Sequence, residues 1–166
     1  MEINGSHTYA APIEAVLAMF RDPSVIAAKY EGMGHRDVKI LECGERDGSL
    51  RIRSSRVVDV NLPGFASKVL KPTNTMNQTD EWREVNGGAW HGTFDVQVQG
   101  APVHLSGAMH LKPESGKCTE DVTITVKVGV PLVGGRIADW LGKNDVRKTL
   151  DAEFAFGDRW LPDHLG

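Results

Sequence analysis

The sequence lacks the features of a nucleic-acid-binding protein and of an integral membrane protein. Its 19 Lys and Arg residues face 22 Asp and Glu residues, for a formal net charge of −3, so it has no excess of cations for phosphate binding. No run approaches the roughly 18 apolar residues of a membrane span, and the N-terminus does not follow the pattern of a signal peptide. We therefore expect a cytoplasmic protein without a nucleic-acid partner or integral membrane association.

Cysteine is also scarce, and metal-ligand spacings are missing. Cys43 and Cys118 stand alone in separate strand-like runs, without a second Cys or a His at the spacing of a metal site. We interpret both as buried or half-buried thiols. His91 and His110 are predicted to face each other across a hairpin, but a third ligand is missing. The sequence therefore predicts neither a metal nor a cofactor.

A chain of 166 residues fits one domain, residues 1–166, around a single core. Its longest candidate helix covers residues 131–161, where apolar residues recur at helical spacing in two stripes. The stripes are Val133, Ile137, Trp140 and Leu141, then Val146, Leu150, Phe154 and Leu161. At about 100° per residue the second stripe is rotated by roughly a third of a turn, so we expect an irregular helix at residues 142–144.

The rest of the chain indicates strands. Period-two alternation predicts a first strand over residues 2–9, and two short helices follow, opened by Pro12 and Pro23. Six more strands are predicted at residues 35–43, 50–60, 75–85, 89–99, 102–111 and 118–130. Most separators are short and rich in turn-forming residues, which favours antiparallel pairing. A two-residue turn at Gly100 and Ala101 sets Phe94 opposite Gly107 and puts the apolar residues on one face. We predict an α+β fold, with a seven-stranded antiparallel sheet curved around the C-terminal helix.

This element order, with the segments YAAPIEAV at residues 9–16 and FRDP at residues 20–23, resembles the START-like (SRPBCC) superfamily, whose fold is the helix grip. Within it, the chain looks most like the small actinobacterial domains of unknown function. The resemblance implies a cavity between the helix and the bent sheet that takes lipids, sterols, polyketides or other apolar molecules. It does not imply one reaction, because the fold hosts carriers, cyclases, hydrolases and regulators.

The phase of the strands predicts which side chains face this cavity. Arg56 is the one charged residue on an otherwise largely apolar strand face, with Gln78 and Asp80 on the neighbouring strand within plausible reach. A buried guanidinium needs acceptors, so Arg56 either anchors a ligand's carboxylate or hydroxyl, belongs to a structural ion pair, or is turned outward by a one-residue shift of the strand register. The residues predicted to line the cavity are Arg56, Met76, Gln78, Asp80, Trp82, Trp90, Phe94, Met109, Ile137 and Leu141.

Two further features concern the edges of the cavity. The long connection over residues 61–74 carries exposed apolar groups, and we predict a cavity entrance formed by Phe65, Gly134 and Gly135. His7 shares a strand face with Ile3 and Tyr9, which makes it either a hydrogen-bonded core residue or a second interior polar group.

Three functions remain open from the sequence. The first is binding or carriage of an apolar or amphipathic small molecule. The second is a cyclase, dehydratase or hydrolase that uses Arg56, Asp80 or His7 as an acid–base or orienting group. The third is an interaction protein with a filled core. The sequence assigns no catalytic residue and no oligomeric state.

Overall fold

The computed structural model describes residues 1–165. Within these residues the chain forms seven strands and four α-helices in the predicted order. The elements are β1 (Glu2–Tyr9), α1 (Ile13–Arg21), α2 (Pro23–Gly32), β2 (Arg36–Arg46), β3 (Ser49–Asp59), β4 (Thr73–Glu84), β5 (Trp90–Val98), β6 (Val103–Glu114), β7 (Lys117–Val128), α3 (Gly134–Leu141), a π-helical segment (Gly142–Val146) and α4 (Arg147–Trp160), with short 3₁₀ turns at Asn86–Gly88 and Leu161–His164.

The strands form one antiparallel sheet in the order β1-β7-β6-β5-β4-β3-β2. β1 pairs with β7, so the first strand lies beside the last and α1 and α2 follow from that edge. One face of the sheet is apolar and is covered by the helices. The predicted α+β fold, a seven-stranded antiparallel sheet around a long C-terminal helix, is confirmed.

The predicted register of the β5–β6 hairpin is also confirmed. Phe94 lies opposite Gly107 and Val96 lies opposite Leu105. A Cβ atom at Gly107 would lie only 2.6 Å from the Phe94 ring and would also collide with the carbonyl oxygen of Thr123 on β7. The absence of a side chain at residue 107 therefore lets Phe94 lie flat against the sheet.

The predicted irregularity of the C-terminal helix takes the form of the π segment Gly142–Val146. A π turn holds one residue more than an α turn, which corresponds to about 100° of helix rotation. This extra residue turns the second apolar stripe back onto the sheet, and Val146, Leu150 and Phe154 are all buried. The side-chain amide of Asn144 donates to the carbonyl of Trp140 at 2.9 Å.

The C-terminal helix begins later than its apolar spacing predicts, whereas α2 begins at the predicted residue. The C-terminal helix begins at Gly134, so Val133 lies before it and is exposed. α2 begins as predicted, with Pro23 at its first position and the Asp22 carboxylate accepting from the Ser24 amide at 2.9 Å. No helix in residues 1–165 is both long and apolar enough to cross a membrane.

Candidate functional site: a polar cavity under the C-terminal helix

A cavity of about 150 Å³ lies between the apolar face of the sheet, α2 and the C-terminal helix. The sheet contributes an apolar wall that includes Met76, Trp82, Phe94 and Met109. The helices contribute Ile26, Val146, Leu150 and Phe156. Charged and hydroxyl-bearing side chains break this wall at several points, so the cavity has an apolar body and polar ends.

Arg56 is the central polar residue of the cavity. The alternation of β3 points it inward, and only 4% of its surface is exposed. Its Nε donates to Nδ1 of His35 at 3.1 Å, and the guanidinium lies 4.0 Å from the centre of the Tyr30 ring. Within residues 1–165, Nη1 of Arg56 is buried and has no hydrogen-bond partner. One donor of the guanidinium is therefore left unsatisfied at the cavity.

Burial and the contact with Arg56 together keep His35 in its neutral form. Its ring stacks on Tyr30 with the ring centres 5.7 Å apart. Burial and the neighbouring Arg56 lower the pKa of His35 to about 4. Because Nδ1 accepts from Arg56, the proton of neutral His35 must lie on Nε2.

Asp80 and Gln78 line the same cavity as Arg56 but do not neutralise it. Nε2 of Gln78 donates to Oδ1 of Asp80 at 2.8 Å, and the Tyr30 hydroxyl approaches Oε1 of Gln78 at 3.5 Å. Across residues 1–165, Arg56 and Asp80 do not form an ion pair. Burial raises the pKa of Asp80 to about 6, against the opposing effects of Gln78 and Lys29.

Glu120 and Tyr9 form a second polar pair in the cavity wall. The Tyr9 hydroxyl donates to Oε2 of Glu120 at 3.0 Å, and both side chains are buried. Burial raises the pKa of Glu120 to about 7, although the hydrogen bond from Tyr9 acts in the opposite direction. Burial and the adjacent Glu120 raise the pKa of Tyr9. Near neutral pH, Glu120 is thus poised between its acid and its carboxylate form.

A third pair joins α2 to α4. Nζ of Lys29 lies 3.7 Å from Oε1 of Glu153. Burial acts to lower the pKa of Lys29, but the negative charges of Glu153, Tyr30 and Asp80 together outweigh burial and raise that pKa above its ordinary value. This ion pair places one charge of each sign at the helical side of the cavity.

A surface groove leads toward the cavity between the end of α2 and α4. It shares six residues with the cavity wall, namely Lys29, His35, Val58, Asp145, Thr149 and Phe156. The half-buried Phe156 ring belongs to both, so it stands where the two meet. The shared residues indicate that the groove connects the cavity with the surface.

The structure brings together seven of the ten residues predicted to line the cavity: Arg56, Met76, Gln78, Asp80, Trp82, Phe94 and Met109. Trp90 lies outside the wall, with the guanidinium of Arg21 5.7 Å from its ring centre. Ile137 and Leu141 are buried on α3, which packs on β7, and also lie outside it. The part of the C-terminal helix that lines the cavity begins at Asp145, inside the π segment and beyond both residues.

The residues of the predicted entrance lie elsewhere on the molecule. Phe65 packs under Arg136, whose guanidinium is 3.9 Å from the ring centre. A side chain at Gly134 would collide with the carbonyl of Val128, whereas one at Gly135 would meet open space. Because none of Phe65, Gly134 and Gly135 lines the cavity, an entrance there stays a prediction beside the groove at Phe156.

His7 lies at the rim rather than at the centre. Its Nε2 is 2.8 Å from Oδ1 of Asp158, and its ring stacks on Phe154 with the ring centres 4.9 Å apart. The side chain remains 26% exposed and is not part of the cavity wall. Of the two interpretations, the hydrogen-bonded residue packed against the core describes it better.

The thiols and the paired histidines lie outside the cavity. Cys118 is buried, which raises the pKa of its thiol to about 11, and burial also raises the pKa of Cys43. His91 and His110 face each other as predicted, with their Nδ1 atoms 3.3 Å apart. In the described part of the chain, no cluster of three His, Cys, Asp or Glu residues is arranged to hold a metal.

The polar cavity residues that sequence reasoning missed include Lys29, His35, Glu120 and Glu153. The alternation of β7 could have revealed Glu120, because it shares the phase of Cys118 and Val122. Likewise, Lys29 follows Val25 and Ile26, and Glu153 follows Leu150, at the spacing of a buried helix face.

The family model described as "Protein of unknown function (DUF2505)" matches residues 4–161 of this chain. The chain belongs to that family. It is similar to an uncharacterized protein of Mycobacterium tuberculosis strain H37Rv, with 24% identity over 122 residues, 72% of this chain and 70% of the relative. An uncharacterized protein of Mycobacterium bovis matches to the same extent.

Solved structures share the fold of this DUF2505 protein. The protein TTHA0849 from Thermus thermophilus superposes with a TM-score of 0.63 at 16% identity, covering 95% of this chain and 97% of the other. Ara h 8.0201 superposes with a TM-score of 0.62 at 11% identity, covering 98% of each chain. At such identities the likeness establishes the helix-grip fold alone, and the chemistry has to come from the cavity itself.

Proposed function

We propose that this DUF2505 protein binds a small amphipathic molecule, with the acidic or carbonyl end of the ligand at Arg56 and its apolar part on Met76, Phe94 and Met109. The observation that carries the proposal is the buried Nη1 of Arg56, which lacks a partner within residues 1–165. A buried, unpaired donor of a charged group destabilises a fold. A ligand oxygen at this position would supply the missing acceptor, so binding should stabilise the protein.

The size of the cavity narrows the ligand class. A volume of about 150 Å³ equals that of an engineered cavity that holds benzene, and lies below the roughly 300 Å³ of a typical drug-sized pocket. A short-chain or single-ring acid therefore fits better than a sterol or a long-chain lipid, which would require Phe156 or α4 to move. The helix-grip neighbours support membership of the START-like superfamily and ligand carriage, through the fold alone.

Isothermal titration calorimetry with hexanoate and 1-hexanol tests the proposal, because the two probes share an alkyl chain and differ in the polar end. The parent protein should bind hexanoate more tightly than 1-hexanol. The variant Arg56→Met should lose about 1.5–3 kcal/mol of hexanoate binding, roughly a 10- to 150-fold change. Its affinity for 1-hexanol should change much less.

The control variant is Arg53→Met, on the exposed face of the same strand. It removes a charge of the same sign without touching the cavity, so both affinities should match those of the parent. If the parent binds neither probe, or if Arg53→Met weakens hexanoate binding as much as Arg56→Met does, Arg56 is not the anchor of the ligand.

A second candidate function is proton transfer to a molecule held at Arg56. It is favoured by Glu120, a cavity carboxyl group whose pKa is raised to about 7 by burial, near the value suited to a general acid or base. We would follow deuterium exchange at carbon 3 of 2-oxohexanoate in D₂O by proton NMR. If the parent accelerates exchange above the rate in buffer and Glu120→Gln does not, the result would support an enzyme. Exchange at the buffer rate in the presence of the parent would exclude proton transfer to this molecule.

A further inference from the structure

Two stretches of chain that meet at one end of the sheet combine exposed cations with an absence of carboxylates. β3 ends at Asp59 opposite Thr73 of β4, and β7 ends at Val128 opposite Val103 of β6. The connection after β3 and the connection after β7 therefore emerge at the same end. Residues 60–79 and 122–138 contain no Asp or Glu, although the whole chain has 22 acids in 166 residues.

Four exposed cations belong to these two stretches: Lys68, Lys71, Lys127 and Arg136. Within residues 1–165 none of the four forms an ion pair with a carboxylate. Asp59, at the border of this end, is already engaged by Arg36 at 2.8 Å and Thr73 at 2.7 Å. The turns at the opposite end of the sheet carry Glu45, Asp47, Glu84 and Glu114.

An apolar tip stands among these cations. Leu132 has a relative exposure of 103%, and the adjacent Val133 is 37% exposed. The φ angle of Leu132 is +71°, a left-handed conformation that is strained for a residue with a branched side chain. The fold thus holds a leucine outward in a strained backbone instead of turning it toward the core.

The two connections form a continuous surface. The guanidinium of Arg136, on the first turn of α3, lies 3.9 Å from the ring centre of Phe65 in the connection after β3. That connection is anchored beneath by Ala66 and Leu70, which are buried. We call the surface formed by residues 61–72 and 131–136, together with Lys127, the basic tip.

We propose that the basic tip docks the protein on an anionic lipid bilayer, with Leu132 and Val133 inserted among the acyl chains and the four cations near the headgroups. Charge complementarity selects the partner, because juxtamembrane cations are attracted by anionic lipid. The exposed apolar side chains of Leu132 and Val133 favour a lipid bilayer over a folded protein as the partner. Leu132 protrudes from a convex loop, and a bilayer accepts such a side chain without a pre-shaped pocket, whereas an acidic protein would need one. The proposal is independent of the ligand held in the cavity.

Co-sedimentation with vesicles tests it on the full chain. Vesicles of phosphatidylcholine mixed with phosphatidylglycerol should bind the protein, vesicles of phosphatidylcholine alone should bind it much less, and added salt should release it. Lys68→Gln and Arg136→Gln should each weaken binding by about fivefold. Leu132→Asn should weaken it by about tenfold or more, and it should fold normally because Asn tolerates a positive φ.

The matched control is Leu41→Asn, which removes an exposed leucine from β2, the edge strand on the other side of the sheet. Its vesicle binding should equal that of the parent. The proposal fails if anionic vesicles do not bind the protein, or if Leu41→Asn has the same effect as Leu132→Asn. Retention on a polyglutamate matrix without vesicle binding would also overturn it, in favour of an acidic protein partner.

Discussion

A methyl group added at Gly107 should push Phe94 into the cavity and destabilise the fold. In the structure, a Cβ atom at residue 107 would lie 2.6 and 2.7 Å from two atoms of the Phe94 ring. It would also collide with the backbone oxygen of Thr123 on β7. The ring can turn away only into the cavity, and the carbonyl can move only by distorting the β6–β7 pairing.

The magnitude follows from these two collisions. Overpacking at a buried ring costs about 1–3 kcal/mol, and weakening one hydrogen bond of the β6–β7 ladder costs about 1 kcal/mol more. Replacing Gly by Ala in a strand also stabilises the fold by about 0.5–1 kcal/mol, because Ala loses less backbone entropy on folding. We therefore expect Gly107→Ala to lower the free energy of unfolding by about 1–3.5 kcal/mol and the melting temperature by about 2–14 °C.

Urea and thermal unfolding, followed by circular dichroism, measure this change. Gly44→Ala is the control, because a Cβ atom at residue 44 meets nothing within 4 Å, and it should be neutral or slightly stabilising. In a protein that already carries Phe94→Leu, Gly107→Ala should lower the free energy of unfolding by about 1–2 kcal/mol less than in the parent. The reason is that the ring is gone and only the carbonyl collision remains. An unchanged stability in Gly107→Ala, or an equal cost in both backgrounds, would refute the contact between residues 94 and 107.

Three further predictions concern the cavity and its cover. Between its ordinary pKa of 4.5 and about 7 in the fold, Glu120 keeps a proton that the unfolded chain has lost, so its contribution to stability falls as pH rises through this window. The parent should therefore lose up to about 3 kcal/mol relative to Glu120→Gln between these pH values, measured by urea unfolding, and parallel pH profiles would contradict a buried Glu120. Asn144→Ala should cost about 0.5–1.5 kcal/mol and accelerate amide hydrogen exchange in the π segment, because the Trp140 carbonyl loses its donor; unchanged exchange would show that water replaces the amide. Phe156→Ala should speed association of hexanoate in stopped-flow measurements of Trp82 fluorescence, and an unchanged rate would move the entrance away from the groove.

The fold was predictable because its signals are local. Period-two alternation, together with the turn at Gly100, is enough to place Phe94 opposite Gly107. The phase shift between the two helical stripes predicted an irregularity whose form, a π segment, is one of the few ways to rotate a continuous helix. Both inferences depend on residues close together in the sequence.

The polar network of the cavity was less predictable because its partners come from distant elements. Asp80 and Gln78 were the acceptors expected within reach of Arg56 if it belonged to a structural ion pair, yet its hydrogen-bond acceptor is His35, just after α2. The pairs Tyr9–Glu120 and Lys29–Glu153 join residues more than 100 positions apart. Their side-chain geometry depends on how α2 and α4 dock on the sheet, which periodicity does not determine.

The central claim is that Nη1 of Arg56 is the unfilled donor that a ligand oxygen completes. NMR spectra of the guanidinium groups in ¹⁵N-labelled protein, with Arg56 assigned by comparison with Arg56→Met, test this most directly. Titration with hexanoate should shift the Nη signals of Arg56 and slow their exchange with solvent, whereas 1-hexanol should shift the cavity-wall signals of Met76 and Met109 and leave the Nη signals nearly unchanged. Unchanged Arg56 signals at hexanoate concentrations that saturate the shifts of Met76 and Met109 would contradict the account.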